Sequence, residues 1–215
     1  MSVLNCTSNV DTHEINLYAF KLAMDESHSQ GIGAENRFQQ LCLRKEMRCE
    51  RATRQQDRIE HWDFRVWMKS PTDTKKQRYR VEVKSAKKQR RSDRSVQYTY
   101  QYLEARGVPM ANGGANPGWL RGNADFIAFE LEQGFLFVDR RNALKYLEEI
   151  VSKDTLPPLT SRDRPQLNRA YTRMHKGALR GDVVYLVEIS KLQALEGSFV
   201  IHSSELDSDA SLKAK

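Results

Sequence analysis

Asp63, Glu82 and Lys84 are the residues of this sequence whose types and spacing could do chemistry together. Two carboxylates brought close make a hard-oxygen site, suited to Mg²⁺ or Mn²⁺ rather than to soft metals. A metal held in that way polarises a phosphoryl group and lowers the pKa of a bound water, which is what phosphodiester hydrolysis requires. A lysine beside the pair can orient that water or stabilise developing negative charge. The backbone carbonyl of Val83, between the two motif residues, is a natural further ligand. Charged chains contain many acidic residues followed by E-x-K, so the elements that carry these residues decide whether they form a site.

Both segments alternate with the period of a strand. In HWDFRVWM (61–68), Trp62, Phe64 and Val66 point one way while His61, Asp63 and Arg65 point the other. In RYRVEVK (78–84), Tyr79, Val81 and Val83 share one face, and Arg80, Glu82 and Lys84 share the opposite one. The turn-rich link Ser70-Pro71-Thr72-Asp73-Thr74 between them predicts an antiparallel hairpin. Glu82 and Lys84 then lie side by side, and Asp63 joins them if the register sets it opposite. Upstream, Ser27 to Gly33 reads as a loop, and an amphipathic helix is expected from Ala34 to about Arg51. Counting 100° per residue puts Glu35, Phe38, Cys42 and Cys49 on one side of it. Glu35 therefore leans toward the apolar face, where a carboxylate needs a partner such as a lysine or a metal-bound water. The alternative is that Glu35 sits in the first turn and complements the helix dipole.

Directly after the second strand, and after Lys84 that ends it, come Lys87, Lys88, Arg90, Arg91 and Arg94, opposed only by Asp93. This run is a candidate grip on phosphates, as are the arginines between Arg162 and Arg180. His61 is a possible auxiliary group on the face of Asp63, with Asp57 four positions before it to orient it. Gln97 is a second auxiliary candidate, at the start of a helix expected over Ser95 to Arg106. Trp62 and Phe64 read as core rather than as stacking platforms, and Asp125 as a strand-edge or turn residue. A Gly-, Asn- and Pro-rich loop follows from Gly107 to Gly122, then apolar strands from Ala124 to Leu131 and from Gly134 to Asp139. A helix over Arg141 to Val151, an irregular basic stretch from 152 to 180, and a buried strand over Asp182 to Ile189 complete the pattern. Helices interspersed with buried and half-buried strands predict an α/β domain with a mixed sheet. The expected organisation is an N-terminal extension (1–33), one domain (34–202) and a polar tail (203–215).

Bulk properties fit an intracellular polyanion binder. The chain of 215 residues carries a net charge of +7, with 39% hydrophobic and 29% charged residues. No apolar run approaches membrane-spanning length, and no secretory signal is apparent. Cys6, Cys42 and Cys49 form no CxxC pair and read as free thiols of a reducing compartment.

Glu35 on a helix, then Asp63 and Glu82-Val83-Lys84 on successive strands, resembles the PD-(D/E)xK nuclease superfamily, the restriction-endonuclease-like fold. The segments Asp57-x-x-Glu60-His61-Trp62-Asp63-Phe64 and Val81-Glu82-Val83-Lys84 are similar to compact phage and viral members. The residue before Asp63 is Trp62 where the motif name has proline. The resemblance covers about residues 34 to 140. It implies a central mixed sheet flanked by helices, two acidic metal ligands (Asp63 and Glu82) and a catalytic lysine (Lys84). The expected function is a Mg²⁺- or Mn²⁺-dependent endonuclease acting on DNA, with Glu35 completing the acidic pocket. The rivals are a nucleic-acid-binding module without turnover on the same fold and a protein whose charged cluster is only a salt-bridge network. A homodimer would suit symmetric cutting of two strands.

Overall fold

The computed structural model describes residues 29–88, 93–106, 118–160, 163–173 and 182–204. Its centre is a mixed six-stranded sheet in the order β1-β2-β3-β5-β6-β9. The strands are β1 (Cys49–Arg51), β2 (Phe64–Met68), β3 (Gln77–Lys84), β5 (Phe126–Leu131), β6 (Gly134–Asp139) and β9 (Phe199–His202). All neighbours run antiparallel except β3 and β5, which pair parallel from Val81↔Phe126 to Lys84↔Phe129. A parallel pair needs a crossover. Here it passes through β4 (Tyr100–Arg106) and a 3₁₀ turn at Trp119–Arg121. β4 pairs with β8 (Asp182–Glu188), and β8 with β7 (Ala170–Arg173), in a second, antiparallel sheet of three strands.

Each face of the large sheet is covered by a different layer. A helix α1 (29–44) packs Ala34, Phe38, Leu41 and Cys42, all fully buried, against Phe64, Val66, Val81, Ala128 and Phe137. Phe38 meets Phe135 edge-on at 5.2 Å, and Phe137 stacks on Phe199 at 5.0 Å. On the other face, α2 (Arg140–Lys153) and the small sheet enclose Leu103, Ile127, Phe129, Leu136, Val138, Leu147 and Val187. Asp139 caps α2, its carboxylate accepting from the Asn142 amide at 3.0 Å. A short α3 (Ile189–Gln193) closes the same layer. Among the described residues, no helix is long and apolar enough to cross a membrane.

The mixed α/β architecture and the β2–β3 hairpin agree with expectation, while several boundaries do not. α1 already includes residues 29–33, so the expected loop there is helical, and it ends by residue 44 rather than near Arg51. Cys49 and Arg51 belong to β1; the apolar spacing of seven that suggested one long helix spans a helix, a turn and a strand. Residues 95–106 are not helical. Tyr98, Tyr100 and Tyr102 recur at a spacing of two, a strand signal in residues with strong β preference, and β4 starts at Tyr100 and takes in the last two. Within 152–180, expected to be irregular, lies β7.

Candidate active site

Period-two geometry sorts β3 as the sequence suggested. Val81 and Val83 enter the core beneath α1, which sends Glu82 and Lys84 to the opposite face. The pairing Phe64↔Val81, continued by one residue, sets Asp63 across from Glu82. At that point the two strands part. Val83 donates its amide hydrogen to the Asp63 carboxylate (2.7 Å) rather than to a backbone carbonyl of β2. A strand residue directs its N–H and C=O to the same side, so the Val83 carbonyl faces the same gap. The carboxylates, the Val83 carbonyl and Lys84 thus converge where β2 leaves β3.

The regular alternation expected for 61–68 fails before Phe64. A single π-helical turn (Gln56–Glu60) ends at His61, whose backbone is left-handed (φ 54°), and β2 starts only at Phe64. Trp62 therefore packs in the core beneath α2, with its indole N–H on Glu60 (2.9 Å), while Phe64 packs beneath α1. Both are core residues, on opposite faces rather than the same one. The turn before β5 holds this bend from outside: Asn123 donates to the Glu60 carbonyl at 2.6 Å. A Cβ on Gly122 would lie 2.5 Å from that of His61. Asp57 meets His61 through backbone, its carbonyl accepting the His61 amide.

The electrostatics are those of a crowded, poorly solvated acidic pair. Glu82 is buried (5% exposed); one carboxylate oxygen takes the Lys84 ammonium, and the other, Oε2, is buried with no hydrogen-bond partner. Such an orphan oxygen is costly unless a ligand satisfies it. Asp63 is pushed up to about 8, first by burial, then by the charges of Glu82 and Glu35, against the relief given by Lys84 and the Val83 amide. Lys84 is held protonated above its ordinary value. Its own burial opposes that shift, and the charges of Glu82, Asp63 and Glu104 outweigh it. Its ammonium also lies 4.8 Å from the centre of the Trp119 ring.

Two of these neighbours escaped the sequence reading. Glu104 and Trp119 come from the crossover, Glu104 on β4 and Trp119 on the 3₁₀ turn. A Cβ on Gly118 would lie 3.0 Å from the Glu104 carboxyl carbon, and the φ of 77° at Gly118 also favours glycine. The strand period of the tyrosines was the signal that could have shown residue 104 as part of a sheet.

Other expected site residues are placed differently. Glu35 pairs with Arg51 of β1 rather than with Lys84, although its charge reaches Asp63. It lies in the middle of α1, which removes the first-turn role. Gln97 is consumed by structure: its amide bonds the Lys87 and Tyr100 carbonyls and the Thr99 and Tyr100 amides. Lys87 and Lys88 are half-buried at the exit of β3 and Arg94 is exposed, while Arg90 and Arg91 lie outside the described residues. Of the later arginines, Arg169 pairs with buried Asp154 at 2.9 Å, and Arg162 and Arg180 lie outside the described residues. Asp125 is a strand-edge residue, its carboxylate accepting from the Arg80 amide at 2.8 Å.

The donor set suits a hard cation. Asp63, Glu82 and the Val83 carbonyl are oxygen donors carried where β2 leaves β3, and the Asp63 and Glu82 carboxylates are near enough for one charge to act on the other. Among the described residues, no group of three or more His, Cys, Asp or Glu side chains is placed to hold a metal. A cavity of about 390 Å³ between α1 and the ends of β5 and β6, lined by Arg37, Ser85, Tyr98 and Glu130, contains none of these oxygens. No family model matches the chain, and no curated protein or solved structure does so either.

Proposed function

We propose that this chain is a metal-dependent nuclease that hydrolyses phosphodiester bonds, a DNA endonuclease in first preference, on a restriction-endonuclease-like α/β scaffold. One observation carries the reading: a buried carboxylate with an unpartnered oxygen, Glu82, stands across from an acid raised to about 8, Asp63, and beside a protonated lysine. A salt-bridge network would be expected to satisfy its oxygens, and a pure phosphate binder gains nothing from two carboxylates facing a polyanion. The order helix–Asp63–Glu82-x-Lys84, with the last two elements paired as an antiparallel hairpin, supports the PD-(D/E)xK assignment.

Asp63, Glu82 and the Val83 carbonyl would hold Mg²⁺ or Mn²⁺, which when bound supplies Lewis-acid polarisation of the phosphoryl group and an acidified water. A cation held there would favour the ionised form of Asp63, offsetting the burial and then the carboxylate charges that raise it. Lys84 is oriented by Glu82 and walled by the Trp119 ring, so its ammonium is preorganised to donate to a non-bridging phosphate oxygen. Little rearrangement of that side chain is then needed as negative charge develops.

The test is direct. Supercoiled, linear, branched and single-stranded DNA, and RNA, are incubated with the protein in Mg²⁺, Mn²⁺ or EDTA, beside Asp63→Asn and Lys84→Ala variants. Cutting that needs the metal and falls at least about 100-fold in Asp63→Asn is expected. Binding without cutting on every substrate would replace this reading with the inactive binding module.

A further inference from the structure

Among the described residues, the layer of α2 and the small sheet covers β5 and β6 and reaches Trp62, but leaves the face of β1–β3 beyond Trp62 without an apolar cover, and the proposed catalytic cluster sits at that step. Register fixes what the bare face displays. Arg65 pairs directly with Arg80, and Trp67 with Arg78. Cys49↔Val66 and Glu50↔Arg65, continued by one residue, bring Arg48 beside Trp67. Its guanidinium lies over the Trp67 ring at 4.3 Å. Two rows therefore cross the strands beyond the Asp63–Glu82 row: Glu50, Arg65 and Arg80, then Arg48, Trp67 and Arg78. Successive rows are about 7 Å apart, the spacing of alternate residues on one sheet face.

Like charges directly opposite on a sheet are destabilising. Arg80 is offset in part by Asp125 at 3.3 Å, and the Glu50 carboxylate is taken by Arg48. Among the described residues, neither Arg65 nor Arg78 forms a salt bridge. Arg65 stacks over Trp62 at 5.3 Å, and Arg78 is exposed. An anion running along the strands would relieve this arrangement.

We infer that the bare face of β1–β3 is the track for a single nucleic-acid strand, its phosphates on Arg65, Arg80 and Arg78 and a base stacked on the Arg48–Trp67 pair. This deepens the nuclease reading, on which it rests for the position of the scissile phosphate at Asp63 and Glu82. A single strand is the occupant because an open sheet face with a stacking platform suits splayed bases, whereas duplex readers insert an element into a groove.

The track is tested without turnover. A fluorescein-labelled 20-nucleotide single strand and its duplex are titrated in EDTA from 50 to 200 mM salt and followed by anisotropy. The variants are Arg65→Ser with Arg78→Ser and, as an equal loss of charge elsewhere, Arg141→Ser with Lys145→Ser on the exposed side of α2. The first pair should weaken single-strand binding about 10-fold and flatten the salt slope by about 1.4 units, because two phosphate contacts are lost at about 0.7 each. Its melting temperature should not fall, since a like-charge pair is relieved. Equal weakening by both pairs, unchanged binding in the first, or tighter binding of duplex than of single strand by the wild type would each overturn the track. If the track holds but Mg²⁺ gives no cutting, the nuclease reading fails alone; if cutting persists while binding ignores Arg65 and Arg78, the track fails alone.

Discussion

At Asp63 the folded chain prefers the protonated acid, and this makes stability depend on pH in a definite direction. A carboxyl raised from its ordinary value near 4 to about 8 contributes stability that is fully present below the ordinary value and lost as pH rises through 8. In EDTA the wild type should therefore melt lower at pH 9 than at pH 5. Asp63→Asn keeps an acceptor for the Val83 amide and cannot ionise, so it should flatten the curve and gain on the order of 2 kcal/mol at pH 9. Thermal melts across pH 5–9 decide this; a wild type that is stabilised across that window would contradict the burial of the acid. Mg²⁺ should raise the wild-type melting temperature at pH 8 and leave Asp63→Asn unmoved. Lys84→Ala strands the Glu82 charge and should cost about 3–5 kcal/mol in EDTA, read by urea unfolding. A fall in activity in that variant is interpretable only at a temperature where it remains folded. The residue types of Asp63, Glu82 and Lys84 and the β3 alternation were legible in the sequence. The unpartnered Glu82 oxygen and the approach of Glu104 and Trp119 were not, because they depend on how a distant crossover packs.

Among the elements, legibility followed periodicity. β2 and α2 bury one regular face, β3 alternates by residue type, β5 and β6 are apolar runs buried on both faces, and the sequence located all five to within a few residues. β4 was misread although its tyrosines recur with the period of a strand, and its pairing with β8, as at Tyr102↔Leu186, gives that period its structural meaning. The bend at His61 was hidden for another reason. Its alternation of polar and apolar types continues while the backbone reverses handedness, so pattern alone gives the wrong face for Trp62. The β6–β9 contact offers a sharp test of register. Gly134 adopts φ 134°, and a Cβ there would lie 2.1 Å from the Ile201 carbonyl oxygen. Gly134→Ala should cost about 3 kcal/mol or more and release β9 from the sheet, seen as faster amide hydrogen exchange at 199–202. Unchanged exchange there would refute the pairing.

For the whole molecule, two cores lie on opposite faces of one sheet, and they are unequal in what they support. The core beneath α1 ties β2 and β3 to β5 and β6 through Phe38, Phe126, Phe135 and Phe137. Phe38→Ala should lower stability by about 3–5 kcal/mol, measured by urea unfolding, and loosen the site with it, since the Asp63 gap is built on that hairpin. The other core reaches the β2–β3 hairpin only through Trp62, over which Arg65 lies, and Trp67 and Arg78 are not among its members. This division has a consequence for how the sequence can change. If the bare half holds a nucleic-acid strand as proposed, replacements there would alter which strand is held and how tightly, while leaving in place the apolar contacts that keep the chain folded. Recognition would then be free to drift where the hydrophobic half of the same sheet is not, and selection could retune the target many times before stability registered the change.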